Sequence, residues 1–505
     1  MPAPVLPIPN SIIPAMAATS GLDTLPIGDA GTTCSAGEAL LVTGAGLLML
    51  WPALYNGFPL IFSDTGTYIS QAMEFHLGWD RPPYYSFFIL ALGWGRSLWP
   101  PVIVQCIAAA WLIRRTQRMI APRAGLLAGA ALLAPLAVLT SLPWTAAQIM
   151  PDIFTPMMVL AFAILVLDAD CTRRERRVLM AITGLAIMVH LSNLPIYAGL
   201  CLTVLGTHAL FHRKVSWRKV SWRKVSWRKV SWRVILLPLV IGVSALIGVN
   251  VVASGRFAVS PFGATFVLAR LLNDGPARTT LARDCPVRHW ALCKYQGRMP
   301  RTADSFLWRA DSPLYRAGGP VTLIDQTQAI VAQTIETEPG PVLRDAVRDF
   351  ARQLVTFAPG SGLRPWYATA WQTIKRDFAP PTVDAFTHSL QARGRLRVPG
   401  LLMTIAQTLA TLGIGVTGGF VAIMLLHRAP ALLCDDEKQR PESRLFALSI
   451  IVLLALLGNA AVTGTLSGPH DRYQSRVVWL AVLSGSLVLG RVYSAWRSRP
   501  INRTA

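Results

Sequence analysis

The chain has 505 residues, of which 52% are apolar and only 15% are charged, and its mean hydropathy is +0.43. This composition excludes a soluble globular protein and indicates an integral membrane protein. The net charge of +22 could suggest a nucleic-acid partner, but the basic residues lie in short stretches between apolar runs. They form no basic face interleaved with aromatic residues, so we expect no nucleic-acid binding.

The N-terminal segment, residues 1–38, contains several prolines and no lysine or arginine. A cleavable signal peptide begins with positively charged residues, and this segment has none. We interpret it as a flexible cytoplasmic tail.

Apolar segments of bilayer-spanning length follow, and they predict an all-α, polytopic membrane protein of about ten transmembrane helices. The segment 84–95 is too short to cross a bilayer and predicts a re-entrant or interfacial helix. The predicted spans are residues 39–55, 99–117, 124–142, 153–169, 178–190, 193–211, 234–252, 400–426, 445–466 and 477–493.

Arginine and lysine are concentrated in the loops on one side of this arrangement. The short loops of the other side carry only Arg81, Arg96, Arg472 and Arg476. The positive-inside rule therefore predicts that both termini are cytoplasmic. The predicted domains are an N-terminal transmembrane module (39–252), an α-rich outer, periplasmic insertion (253–399, with its clearest helical stretch at 321–357) and a C-terminal transmembrane module (400–505). This arrangement predicts location in a bacterial-type inner (plasma) membrane.

A perfect five-residue repeat, Lys214-Val215-Ser216-Trp217-Arg218, occurs four times in the predicted cytoplasmic linker 212–233. A period of five matches neither a helix nor a strand, so the repeat predicts an unpacked basic linker. The alternative is a membrane-surface anchor, with tryptophan at the lipid headgroups and the basic residues on anionic lipid.

Polar residues collect at the span ends on the predicted outer side. Asp64, in Phe62-Ser63-Asp64-Thr65-Gly66-Thr67-Tyr68, directly follows the first span. Ionisable groups at a membrane edge are costly and are therefore candidates for function. The other candidates are Arg81, Asp152, His190, Asn193, Arg472, Tyr473 and Arg476.

Each candidate also has a purely structural alternative. Asp64 suits a turn or a helix N-cap, and a negative charge at Asp152 suits the start of a helix. The remaining alternatives are a tight turn for His190 and Asn193 and interfacial anchoring for Arg472 and Arg476.

The order of these features resembles the C superfamily of glycosyltransferases, which are integral membrane enzymes. Asp64 lies near the start of a long first outer loop, and Arg81-Pro82-Pro83 leads into the short helix at 84–95. Asp152 matches a second acid in the second outer loop, and Arg472-Tyr473 matches a late Arg-Tyr pair. The resemblance implies transfer of a sugar from a polyprenyl-phosphate donor to a glycan, lipid or protein acceptor, with the active face outside the cytoplasm.

The chemistry of such a transfer assigns expected roles. Asp64 is the expected general base, and Arg472, Arg476 and Arg81 are expected to bind the lipid phosphate. Asp152 is expected to bind the acceptor or a divalent cation, although no cofactor is firmly indicated. Supporting positions are Tyr473, His190 and Asn193.

Two non-catalytic alternatives remain open, namely a polysaccharide or lipid transporter and an envelope assembly subunit. The sequence contains no glycine-rich phosphate loop on the cytoplasmic side, which argues against an enzyme that uses ATP or a nucleotide sugar.

Two cysteines, Cys285 and Cys293, lie close together in the predicted outer insertion. Neighbouring thiols outside the cytoplasm are oxidised where geometry permits, so we predict a disulfide between them. The cysteine and histidine spacings suggest no metal site.

Overall fold

The computed structural model describes residues 35–212, 232–428 and 440–497. Every regular element in these ranges is helical, and the β-type pairing in them is an isolated bridge between Leu60 and Gln148. The predicted all-α class is therefore confirmed for the described part of the chain.

One apolar helix of the first half, α8, packs against helices from both halves of the chain. Almost every residue of α8 is buried, as expected for a helix that is apolar on all sides. The helices are α1 (Ala36–Leu48), α2 (Trp51–Asn56), α3 (Thr65–Glu74), α4 (Tyr84–Gly93), α5 (Trp99–Ile120), α6 (Leu126–Leu139), α7 (Leu142–Ala146), α8 (Phe154–Leu167), α9 (Arg173–Val189), α10 (Asn193–His212) and α11 (Trp232–Ser254).

The second half begins with shorter helices and ends with three long apolar ones. The helices are α12 (Gly263–Asp274), α13 (Pro276–Arg288), α14 (Ala303–Trp308), α15 (Pro313–Arg316), α16 (Gly319–Thr322), α17 (Ile324–Thr337), α18 (Pro339–Val355), α19 (Gln372–Asp377), α20 (Pro380–His388), α21 (Gly400–Ile423), α22 (Arg440–Ser467) and α23 (Asp471–Arg497).

Five helical stretches among the described residues are long and apolar enough to cross a membrane. They are Ala36–Asn56, Trp232–Ser254, Gly400–Leu426, Pro441–Ser467 and Asp471–Arg497. The chain is therefore a membrane protein by the length and composition of its helices.

The other predicted spans also lie on helices, but these are shorter or less apolar. Leu126–Leu139 and Pro151–Leu167 are apolar helices of fewer than 18 residues, and Asn193–Thr207 is a shorter apolar part of α10. The total of about ten spans therefore stays a prediction. The short helix predicted at 84–95 is present as α4, Tyr84–Gly93.

Two predictions, on the N-terminal tail and on the five-residue repeat, concern segments that lie partly outside the described residues. The tail was predicted to extend to residue 38, but the first helix begins at Ala36 because the Ser35 side chain accepts the Glu38 N–H and caps it. That boundary was wrong. The repeat lies outside the described residues except for Trp232 and Arg233, which begin α11.

The 253–399 segment has a hydrophobic core of its own, formed around α12, α13 and α17. Its predicted helical stretch 321–357 is divided among three helices, because the helix is interrupted at Leu323 and again at Glu338, before Pro339 begins α18. Cys285 and Cys293 form the predicted disulfide. One helix of this segment, α18, packs against the spanning helix α22.

Three distant segments meet where the first and second loops touch. The backbone of Leu60 exchanges hydrogen bonds with Ala147 and Ile149, at 3.0 and 2.8 Å. The Gln391 side chain donates to the Ile61 carbonyl at 2.8 Å and accepts from the Ile61 N–H at 3.0 Å. These bonds fix the start of the first loop, and the candidate residues that follow it, against the rest of the fold.

Candidate functional site

Asp64 is held in place through its neighbour Thr65. The Thr65 hydroxyl donates to the Ile149 carbonyl at 2.9 Å and accepts from the Phe62 N–H at 2.9 Å, which ties the first loop to the second. Asp64 stands at the N-cap position of α3, but its carboxylate makes no capping hydrogen bond. Its Oδ1 accepts instead from the Ser63 hydroxyl at 3.0 Å. The capping alternative for Asp64 is therefore wrong.

Arg81 is the direct partner of Asp64. Its Nη2 donates to Asp64 Oδ2 at 2.8 Å. The backbone of Arg81 is fixed in turn, because its carbonyl accepts from the side chain of Gln71 on α3 at 3.1 Å. The Asp64 side chain is only 14% exposed, so it is largely shielded from solvent.

Two arginines on the first turns of α23 connect Asp64 to Asp152. Arg472 Nη1 lies 3.6 Å from Asp64 Oδ2, and its Nε lies 3.8 Å from Asp152 Oδ1. Arg476, one turn further along the helix, donates to Asp152 Oδ1 at 3.1 Å. The structure therefore brings Asp64, Arg81, Asp152, Arg472 and Arg476 into one group, which we call the acid–arginine cluster.

Arg476 is completely buried and has several polar partners. It donates to Ser192 Oγ at 3.0 Å and to Asn459 Oδ1 at 2.8 and 3.2 Å, and its Nη1 lies 3.2 Å from His190 Nε2. A guanidinium held by Asp152, Ser192 and Asn459 cannot reach the membrane surface. The anchoring alternative for Arg476 is therefore wrong.

Aromatic rings line one side of the cluster. The guanidinium carbon of Arg472 lies 4.1 Å from the centre of the Phe62 ring and 5.1 Å from that of Tyr473. Arg476 also faces Tyr473, at 5.8 Å. Such contacts stabilise a cation away from water, and they place Tyr473 at the cluster as predicted.

Electrostatics keep Asp64 ionised. Burial alone would raise the pKa of Asp64, but the positive charges of Arg81 and Arg472 and the hydrogen bonds from Arg81 and Ser63 outweigh it. The pKa falls from its ordinary value of 3.8 to about 2. A carboxylate with so low a pKa is a weak base until the charge around it changes.

Two buried atoms of the cluster have no hydrogen-bond partner among the described residues. They are Asp152 Oδ2 and Arg472 Nη1. Buried polar atoms are usually paired, and an unpaired one indicates strain, catalysis or an absent ligand or water. The cluster therefore has both an acceptor and a donor free for a bound polar molecule.

Two predicted residues, Asn193 and Asp152, are buried and held by other side chains. Asn193 accepts from Thr155 at 2.7 Å and donates to the Ala186 carbonyl at 2.8 Å, so it joins helices and does not contact the cluster. Asp152 is only 1% exposed and lies on Arg476. It therefore orients the arginines, and its expected role in binding an acceptor stays a prediction.

The donor set does not suit a divalent cation. Asp64 and Asp152 both face Arg472, whose positive charge occupies the position that a metal ion would need. Among the described residues, no group of three or more histidine, cysteine, aspartate or glutamate side chains could hold a metal ion.

Three members of the site were missed at the sequence level. Ser192 and Asn459 hold Arg476, and Phe62 packs on Arg472. A signal existed for Asn459, because a buried amide in an apolar span is expensive and needs a partner. For Ser192 and Phe62 the sequence offers no comparable signal.

Comparison of the chain with protein-family models, with curated proteins and with solved structures finds no match.

Proposed function

We propose that the protein is a membrane glycosyltransferase that moves a sugar from a polyprenyl-phosphate donor to a glycan, lipid or protein acceptor. The proposed site is the acid–arginine cluster, on the face of an inner (plasma) membrane away from the cytoplasm. The observation that carries the proposal is that two arginines, Arg81 and Arg472, lie at 2.8 and 3.6 Å from the same carboxylate oxygen, Asp64 Oδ2.

The position of the cluster suits a lipid phosphate. Arg472 lies in the first turn of α23, at the end of a membrane-spanning stretch. A phosphate attached to a polyprenyl chain stays at this level, because the chain remains in the bilayer while the charged group stays at its edge. The planar guanidinium groups of Arg81 and Arg472 can bind phosphate oxygens in a forked geometry.

In the proposed reaction the acceptor hydroxyl oxygen attacks the anomeric carbon of the donor sugar. The bond between that carbon and the phosphate oxygen breaks, and the phosphate leaves with the electron pair. Asp64 accepts the hydroxyl proton. Arg81 and Arg472 stabilise the charge of the leaving phosphate, as preorganised donors do in other transfer reactions.

The low pKa of Asp64 is compatible with this role only if donor binding changes it. In the free protein, Arg81 and Arg472 hold the pKa of Asp64 at about 2. A bound phosphate would share these arginines and add negative charge, and both effects raise the pKa of a neighbouring carboxylate. The proposal therefore includes a rise in the pKa of Asp64 when the polyprenyl-phosphate sugar binds, which makes Asp64 a stronger base.

One observation favours a second candidate, a carrier of lipid phosphates without chemistry. Arg476 is a fully buried cation within a membrane-spanning helix, a feature of substrate pathways in transporters. The two functions share phosphate binding and differ in whether the sugar–phosphate bond is broken.

The experiment uses the full chain in lipid nanodiscs with a panel of radiolabelled undecaprenyl-phosphate sugars and delipidated envelope glycan. Mass spectrometry measures the release of undecaprenyl phosphate. We expect release with at least one sugar, and loss of release in Arg472→Gln but not in Arg115→Gln, which alters an ion pair elsewhere. Binding without release would support the carrier, and absence of binding would support a structural subunit.

A further inference from the structure

Helix α18, Pro339–Val355, has its polar face buried and its apolar face exposed. Among its residues, Asp345, Asp349 and Gln353 are the buried ones. In a helix on the surface of a water-soluble domain the opposite pattern is expected. The inversion indicates that the exposed face of α18 does not meet water alone.

The buried face is fixed by charged partners. Asp349 accepts a short hydrogen bond from Arg270 of α12, and Asp345 accepts from Arg348 at 2.9 Å. Gln353 donates to the His470 carbonyl at 2.9 Å and accepts from the His470 N–H at 2.9 Å. The bonds to Arg270 and to His470 set the rotation of α18 about its axis, so its apolar face cannot turn inward.

The exposed face consists of an apolar stripe with a basic edge. Leu343, Val347 and Val355 repeat at intervals of four and eight residues, and they are 66%, 56% and 75% exposed. Arginines at 344, 348 and 352 follow the same interval beside them. The Arg344 side chain is 75% exposed, and that of Arg348 is 40% exposed.

The position of α18 places this face at the edge of the membrane. Gly464, near the end of the spanning helix α22, packs so closely on α18 that an added Cβ would lie 2.8 Å from the Asp349 carbonyl oxygen. Just beyond α18, the Ala358 N–H donates to the carboxylate of Asp471, the first residue of the spanning helix α23, at 2.7 Å. The apolar stripe is therefore level with the turn that joins two spanning helices.

We propose that α18 is an interfacial helix whose occupant is the anionic phospholipid surface of the membrane that α22 and α23 span. The stripe Leu343, Val347 and Val355 enters the boundary between headgroups and acyl chains. Arg344 and Arg352 contact lipid phosphates, with their apolar stems along the stripe. The 253–399 segment is thus seated on the membrane through α18, independently of any catalytic activity.

The experiment measures the depth of a spin label on Val347→Cys in the full chain, with Cys34 and Cys434 replaced by serine. Val287→Cys is the matched control, because Val287 is a 78% exposed valine on α13 of the same segment. In nanodiscs we expect the label at 347 to collide several-fold more with oxygen than with a water-soluble nickel chelate, and the label at 287 to show the reverse. If Val347→Cys does not fold, Leu343→Cys replaces it.

Two outcomes would overturn the proposal. One is equal exposure of both labels to the nickel chelate, which would mean that α18 faces water. The other is dipolar broadening at 347, which would mean that a second copy of the chain covers the stripe.

The role of lipid charge is tested by comparing phosphatidylglycerol with phosphatidylcholine nanodiscs. The label at 347 should lie deeper in the anionic lipid, and Arg344→Gln with Arg352→Gln should abolish this difference. Arg301→Gln, on the same segment but away from α18, should keep it. A depth that is the same in both lipids would refute the contact with anionic headgroups.

Discussion

Helix α8 is flanked by a buried aspartate at each end, and the two ends differ in how that charge is paired. Asp152 precedes the helix and Asp168 follows it, and their side chains are 1% and 3% exposed. Asp168 forms an ion pair with Arg115 at 2.5 Å, lies 3.9 Å from Arg444 and accepts the Asp170 N–H. Asp152 Oδ2, by contrast, has no partner among the described residues.

The side chains around the two aspartates also differ in whether their buried polar atoms have hydrogen-bond partners. Near Asp168, Arg115 also binds Glu175 at 2.9 Å, and none of these side chains has an unpaired buried atom. Near Asp152, Arg472 Nη1 makes no hydrogen bond among the described residues and lies 3.6 Å from Asp64 Oδ2. Since burial is nearly equal, burial alone does not mark a functional site. A network in which every buried polar atom has a partner serves to join helices. A network with buried atoms that lack a partner has capacity to bind a ligand.

The largest expected effect is on turnover, and it distinguishes the acid–arginine cluster near one end of α8 from Asp168 at the other. Asp64→Asn preserves size but removes the proton acceptor, so turnover should fall roughly 10²–10⁴-fold. Asp168→Asn, at the end of α8 away from the acid–arginine cluster, should leave turnover within a few-fold for the protein that folds. Release of undecaprenyl phosphate, measured at matched protein level, tests this. Equal turnover in Asp64→Asn and the wild type would remove Asp64 as the base.

A second prediction compares the two ends by stability. Arg476→Gln leaves the buried Asp152 without its closest cation, and breaking such a pair costs roughly 3–5 kcal/mol. Arg115→Gln should cost less, because the Arg115 side chain is 16% exposed whereas that of Arg476 is completely buried. Thermal unfolding in detergent gives the order of the two Tm values. A lower Tm for Arg115→Gln than for Arg476→Gln would contradict it.

A third prediction uses the unpaired atoms of the cluster. Undecaprenyl phosphate at about 100 times its Kd should stabilise the wild type by about 2.7 kcal/mol. The shift should be lost in Arg472→Gln and kept in Arg115→Gln, and it is measured as the change in Tm on adding the lipid. A shift retained in Arg472→Gln would show that the lipid binds elsewhere.

Much of the cluster could be predicted from the sequence, because topology determines which span ends share a side. Asp64, Arg81, Asp152, Arg472 and Arg476 are far apart in the chain, yet positive-inside counting put them on one face. The structure brings all five within one network of contacts.

Which side chains contact each other on that face could not be predicted from the sequence. Helical periodicity gives the apolar face of a helix but not the neighbour it packs against. The contact of Asn459 on α22 with Arg476 on α23 is therefore invisible in the sequence. Similarly, the sequence predicted a helical stretch at 321–357, but only the contacts with Arg270 and His470 show which face of α18 is buried.

The smallest predicted effect is on the pH dependence of stability, and it tests the lowered pKa of Asp64 in the acid–arginine cluster. The pKa of Asp64 is lowered from 3.8 to about 2, so its interactions stabilise the folded protein at pH values above 3.8. The contribution is about 2 kcal/mol at neutral pH, and it is lost as the pH falls through about 2. The difference in unfolding free energy between the wild type and Asp64→Asn should therefore be constant from pH 5 to pH 8 and shrink below about pH 4. Thermal unfolding at pH 3, 5, 7 and 8 measures it. A difference that changes between pH 5 and pH 8 would mean that Asp64 titrates near neutrality in the free protein, and activation by the bound donor would then be unnecessary.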